Sequence, residues 1–248
     1  MTDSIAARID RHHFTLRRLH SLTGIFPVGV FLIEHLLTNS LAWWPERFNE
    51  QVHWLHNLHY LIWLEILFIF VPLAFHGTYG VIIALQGRSN AGQYPYMDNW
   101  RYTLQRVTAW IMVVFILMHL AHFRFAHWFG GELYPGAPDP FGITQRGFLS
   151  LLLPAWLWLV IYVIGLTAAI FHFCNGLVTF CITWGISVSV ESRKKTTIVA
   201  AALGVVLLIW GVMGLVGLQQ AYTKPEPVAP ANVVHAGPSE LAPLDRVA

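Results

Sequence analysis

From Gly147 to Val190 the chain carries no Asp, Glu, Lys or Arg. Soluble domains carry about one charged residue in four, so a run of this length without charge calls for a solvent that disfavours it, and lipid is that solvent. Four further stretches are similarly apolar. With the one inside the uncharged run they give five candidate spans: Leu19–Trp43, Tyr60–Leu85, Thr103–Arg124, Pro154–Trp184 and Thr197–Gln219. Each supplies roughly the 20 mostly apolar residues that a crossing helix needs. Composition agrees: 56% of the 248 residues are apolar and 11% charged, with a mean hydropathy of +0.54. The eleven Trp suit membrane-interface belts. A net charge of +2 is too small to point to a nucleic-acid partner. The expected fold is therefore all-α, an integral membrane bundle of five transmembrane helices in the lipid bilayer. The first span holds Glu34 and His35 and lacks a small-residue cleavage site, so it reads as a retained helix, not a signal peptide.

Three regions follow: a polar segment at 1–18, the membrane domain at 19–220, and a Pro/Ala-rich tail at 221–248 expected to be disordered. Arg8, Arg11, Arg17 and Arg18 precede the first span, Arg88, Arg101 and Arg106 lie before or at the start of the third, and Arg193, Lys194 and Lys195 precede the fifth. The other side has only Arg47, Arg124, Arg146, Lys224 and Arg246. The positive-inside bias puts the N-terminus in the cytoplasm. Cys174 and Cys181 lie about 10.5 Å apart along one helix, too far for a disulfide. No C-x-x-C-H occurs, so covalent c-type haem attachment lacks its motif.

Four histidines lie inside spans: His35, His76, His119 and His172, one on each of the first four helices. Ionisable groups are costly in a bilayer and usually functional, and imidazole is a common axial ligand of haem iron. The helices alternate in direction. Counted at about 1.5 Å per residue, His35 and His119 both lie roughly 24 Å from the inner edge, whereas His76 and His172 lie within roughly 5–8 Å of it. The histidines thus match in two pairs at two depths, as two bis-histidine b haems between helices one to four require. Gly80 and Gly176 follow His76 and His172 by one turn and would leave room for a porphyrin edge; Asn39 and Phe123 occupy the matching outer positions. The structural alternative for each histidine is a hydrogen bond between helices. His122 competes with His119, whose face it partly shares.

Other residues admit two readings. His20 and Arg106, with Arg17 and Arg18, stand at the inner edge, placed for haem propionates or a partner subunit, or simply for topology and lipid headgroups. Glu65, near the outer end of the second span, is placed to move protons for a quinone or to act as a solvated interfacial acid. His53, His56 and His59 recur every three residues; a polar interfacial helix explains them better than a surface metal. Gly204, Gly211, Gly214 and Gly217 suit close packing of the fifth helix.

Several motifs now occur in order: Arg17-Arg-Leu-His-Ser-Leu-Thr-Gly24, Pro27-Val-Gly-Val-Phe-Leu-Ile-Glu-His35, His76-Gly-Thr-Tyr-Gly80, Asn90-Ala-Gly-Gln-Tyr94, Asn99-Trp100, Leu104-Gln-Arg-Val-Thr108, Ile170-Phe-His-Phe-Cys-Asn-Gly176 and Thr183-Trp-Gly185. Over about residues 12–220 the chain resembles the cytochrome b558 membrane subunits of succinate:quinone oxidoreductases, of the single-subunit, dihaem, five-helix type. The resemblance implies a bacterial cytoplasmic membrane protein of the respiratory chain and tricarboxylic acid cycle. It also implies flavoprotein and iron–sulfur subunits on the cytoplasmic face, where the flavoprotein handles succinate or fumarate. The inner haem would be held by His76 and His172 and the outer haem by His35 and His119, with menaquinone as the membrane substrate. Some members carry a Glu two residues before the fourth-helix ligand as a proton route; Ile170 stands there, so that route is not expected. Two rivals are a dihaem anchor of another quinone-linked dehydrogenase, disfavoured by the ordered motifs, and a proton or metal transporter using a histidine relay, for which no inverted repeat is evident.

Overall fold

The structure, a computed structural model, describes residues 5–126, 138–150 and 153–221. All regular structure among them is helical: α1 (Ile5–Ile25), α2 (Val28–Ser40), α3 (Pro45–His56), α4 (Leu61–Leu64), α5 (Val71–Gln86), α6 (Met97–His119), α7 (Pro140–Ser150), α8 (Ala155–Thr183) and α9 (Val190–Gly217). Five helical stretches are long and apolar enough to cross a membrane: His12–Trp43, Leu61–Gln86, Met97–Arg124, Ala155–Thr183 and Val190–Gly217. All five expected spans are present. Most of the tail expected at 221–248 lies outside the described residues.

The helices overrun the apolar stretches where polar residues can still be helical. The helix α1 runs from Ile5 through the boundary expected at residue 18, and α6 starts at Met97 rather than Thr103. The first span is also interrupted. Pro27 has no N–H to continue the ladder, so α1 stops at Ile25 and α2 restarts at Val28. In the second span a π-helical turn at Glu65–Phe70 joins α4 to α5, just before Pro72, whose missing N–H loosens the ladder there. A second π-helical turn, Leu120–Arg124, ends the third span.

The helix α9 is the structural post, packing on both α8 and α2. A Cβ at Gly214 or Gly217 would run into the backbone of Asn39 or Ala42. Small residues here let helices approach closely enough for dispersion forces to hold them where lipid removes the hydrophobic drive. Leu36, Ile170, Phe173 and Leu207 form the buried core of this contact. At the end of the bundle opposite the N-terminus, α3 and α7 form a cap. Phe48 packs edge-on against Phe141, and Asn49 accepts from the Phe141 N–H at 2.7 Å. Gln145 reaches the carbonyls of Leu218 and Gln220, and Gln220 reaches that of Ala42, so the cap grips the end of α9. At the N-terminal end, Trp184 Nε1 donates to Ser21 and the Arg18 guanidinium lies over the Trp184 ring.

Candidate functional site: two histidine pairs

A cavity of about 2070 Å³ runs between the spans, lined by residues of all five. Its lining is mostly apolar, and His20, His35, His76, His119 and His172 all reach it. The structure brings the four span histidines together two by two. The His76 and His172 ring centres are 6.2 Å apart with planes at 85°, and those of His35 and His119 are 5.7 Å apart at 84°. An iron bound on both sides by imidazole nitrogens at about 2 Å puts ring centres about 6 Å apart.

The hydrogen bonds decide which nitrogen of each ring keeps its lone pair. A carbonyl can only accept. At the N-terminal end, His76 Nδ1 lies 2.9 Å from the His20 carbonyl and His172 Nδ1 lies 3.2 Å from that of Gln105. Both Nδ1 atoms therefore carry the proton, which leaves the lone pair of a neutral ring on Nε2. The His76 ring sits where α1 comes close: a Cβ on Gly24 would strike it. The next turn back, His20 stacks on His76 at 4.0 Å with planes 13° apart. The room at Gly80, expected for a porphyrin edge, is used by His20, whose Cε1 would lie 3.0 Å from a Cβ there. Among the described residues the buried Nδ1 of His20 finds no hydrogen-bond partner.

At the opposite end the assignment passes through a tyrosine. His122 Nε2 lies 2.8 Å from the Gly147 carbonyl and so donates, which makes its Nδ1 the acceptor in a neutral ring. The Tyr162 hydroxyl is 3.0 Å from that Nδ1 and donates to it. Its oxygen is then free to accept from His119 Nδ1 at 3.3 Å. His119 thereby keeps a lone pair on Nε2, while both nitrogens of His122 are engaged. His122 is thus a hydrogen-bond partner in the His119 network. His35 has a looser environment, with Asn39 Nδ2 3.4 Å from its Nδ1 and donating chiefly to the His35 carbonyl at 2.8 Å.

Glu65 also reaches this cavity. It is not a solitary acid: Arg124 holds it with two contacts, Nη2 to Oε2 at 2.6 Å and Nε to Oε1 at 3.2 Å. Each partner lies in or at the end of a π-helical turn, a backbone form frequent at functional sites. His56 feels both charges; burial lowers its pKa from the ordinary value, Glu65 opposes this and Arg124 adds to it. Arg106 lines the cavity with its guanidinium 3.4 Å over the Tyr102 ring and its buried Nε without a hydrogen-bond partner. His53 and His56 lie on α3 and His59 beyond it. Among the described residues no group of three or more His, Cys, Asp or Glu forms a metal site. Sequence reading passed over Tyr162, Arg124, Gln105 and Asn175 as working residues. Each is polar within an apolar span, and Asn175 lies one turn beyond His172; those were the available signals.

The profile of the family described as succinate dehydrogenase/fumarate reductase transmembrane subunit matches residues 88–211. The chain is also similar to the succinate dehydrogenase cytochrome b558 subunit of Bacillus subtilis (strain 168), 39% identical over 210 residues covering 84% of this chain and 96% of that protein.

Proposed function

Because this chain belongs to the succinate dehydrogenase/fumarate reductase transmembrane subunit family, we propose that its cavity holds two b haems, one clamped by His76 and His172 and the other by His35 and His119. The observation that carries this reading is the double pairing: two sets of rings about one iron's span apart, in one apolar cavity. The donor set fits the group, since His76, His172 and His119 each keep an Nε2 lone pair. When bound, the haems supply one-electron redox chemistry linking an iron–sulfur partner to a membrane quinone.

The protein's own share is to orient, insulate and move protons. The N-terminal end, rich in Arg and Lys, lies in the cytoplasm and receives the iron–sulfur and flavoprotein subunits. Succinate is handled by the flavoprotein and not by this chain. His20, with its orphaned Nδ1, and Arg106, with its orphaned Nε, donate to propionates at that end. Menaquinone is reduced at the opposite end. There Glu65 passes protons to it through Oε1, the more loosely held oxygen, while Arg124 keeps the carboxylate in position through Oε2. The apolar lining between the ends excludes water from the histidines.

The test is a redox-titrated optical spectrum of membranes carrying the wild type, His76→Ala and His119→Ala. Two b-type components are expected in the wild type, with a different one lost in each variant. A wild-type spectrum with one b component, or none, overturns the proposal; a flat spectrum leaves the histidine-relay transporter as the better reading.

A further inference from the structure

Gln105, Thr108 and Asn175 sit in two of the motifs that stand out in the sequence, yet the proposed ligands and proton groups leave them unused. The structure gathers them around one ring. On α6, Arg101 and Gln105 are four residues apart and share a face; on α8, His172 and Asn175 are three apart and share another. Gln105 and His172 exchange two bonds: Gln105 Nε2 donates to the His172 carbonyl at 3.1 Å, and His172 Nδ1 donates to the Gln105 carbonyl at 3.2 Å. Asn175 Nδ2 donates to Gln105 Oε1 at 2.7 Å, and Arg101 Nε donates to Asn175 Oδ1 at 2.9 Å. Thr108 closes the far side, its Oγ1 3.4 Å from His172 Nδ1. The result is a line of hydrogen bonds from a guanidinium to the backbone carbonyl of a histidine whose ring in turn donates to the Gln105 carbonyl.

Simple adhesion between α6 and α8 would need much less. One hydrogen bond between helices holds a membrane pair, and each buried amide is costly unless all its polar atoms are satisfied. Here Asn175 is only 7% exposed and is bonded through both its oxygen and its nitrogen. The line ends on a cation that also meets Asp98 at 3.6 Å, with an Asp98 side chain 92% exposed. Such an exposed pair neutralises little. Connected hydrogen bonds in a low-dielectric interior polarise one another, and groups behind a ligating histidine tune the metal.

We propose that Arg101, Asn175 and Gln105 form a positioning relay that clamps α6 to α8, so that the Gln105 backbone carbonyl stays on His172 Nδ1–H, and that raises the reduction potential of the haem at the N-terminal end. The proposal rests on the ligand assignment made above. The cation at the end of the relay favours the reduced, less positive iron, and the amides fix its place by clamping the His172 backbone carbonyl. No side chain of the relay is itself a ligand. At the second pair the network runs through Tyr162 and His122 to the Gly147 carbonyl, a neutral group.

The experiment is potentiometric titration of the complete complex in membranes, following both b components optically, for Arg101→Gln, Arg101→Lys, Asn175→Leu and the double variant Arg101→Gln/Asn175→Leu. Arg101 stands near the aqueous end of α6 with a quarter of its side chain exposed, so its variants test the idea even if Asn175→Leu does not assemble. Expected are a negative shift of the component that His76→Ala abolishes, an unmoved second component, and restoration by Arg101→Lys. The double variant shifts no further than Arg101→Gln alone, because the line is already cut. Full haem content with an unmoved potential in Arg101→Gln overturns the relay and leaves the dihaem assignment standing. A shift in the double variant equal to the sum of the single shifts also overturns it, since a bare charge acts without the amides. A wild type without haem overturns both.

Discussion

At the N-terminal end of the bundle, both proposed ligands, His76 and His172, give their Nδ1 protons to backbone carbonyls, those of His20 and Gln105. At the opposite end, His119 gives its proton to the Tyr162 hydroxyl, and Asn39 approaches the ring nitrogens of His35. A carbonyl cannot reverse its role, and no side-chain substitution deletes it. A hydroxyl can donate or accept, so the direction at Tyr162 is set by His122 and, behind that, by Gly147. One pair is locked by the chain trace and the other by a queue of side chains. The two ends should therefore respond differently to mutation.

The largest expected effect comes from removing a ring. His172→Ala and His35→Ala should each lower haem b per chain from two to one, read as the pyridine haemochrome. Loss of both haems from either change would mean that the two ends do not load independently. Next is Gly24→Val, which drives a side chain into the His76 ring. Overpacking of this kind costs about 1–3 kcal/mol, and only the N-terminal-end component should be lost from the spectrum. A change in both would erase the contrast.

Tyr162→Phe should weaken haem retention at the other end by about 10–100-fold, the usual cost of losing a partner behind a metal-ligating histidine. His20→Ala, by contrast, keeps the carbonyl that His76 uses and removes only a propionate contact, so apo-protein competition for haem should find a smaller loss at that site. Equal losses in the two variants would contradict the distinction between backbone and side-chain locks. The smallest effect is on stability. Arg124→Gln leaves Glu65 without its cation. A fully buried pair loses about 3–5 kcal/mol on such a change, but these side chains are 27% and 17% exposed. A loss of about 1–2 kcal/mol is expected, measured as a lower unfolding temperature in detergent, with quinone reduction falling more than dye reduction by the flavoprotein.

Much of this architecture is readable before any coordinates. A run free of charge between Gly147 and Val190 has few options, and the helix α8 lies within it. The depth count that paired His76 with His172 and His35 with His119 needs only the helical rise, and those rings are neighbours in the structure. The glycines of α9 likewise announced a close contact, which proved to be with α2 as well as α8. The interruption at Pro27 had its signal in the residue itself, but a long apolar stretch concealed it. Gly80 was read as space for a cofactor, whereas His20, arriving from another helix, takes that space.

What the amino-acid order settles alone is whatever depends on one segment and its solvent: how many apolar stretches are long enough to cross lipid, and how far along each a histidine lies. Transfer from water and rise per residue are local quantities. Only the tertiary structure decides who meets whom around those histidines. Arg124 on Glu65, Tyr162 between His119 and His122, and Arg101 reaching His172 through two amides all depend on how neighbouring helices are rotated about their axes. That rotation is a packing outcome of the whole bundle, so no single stretch of sequence encodes it.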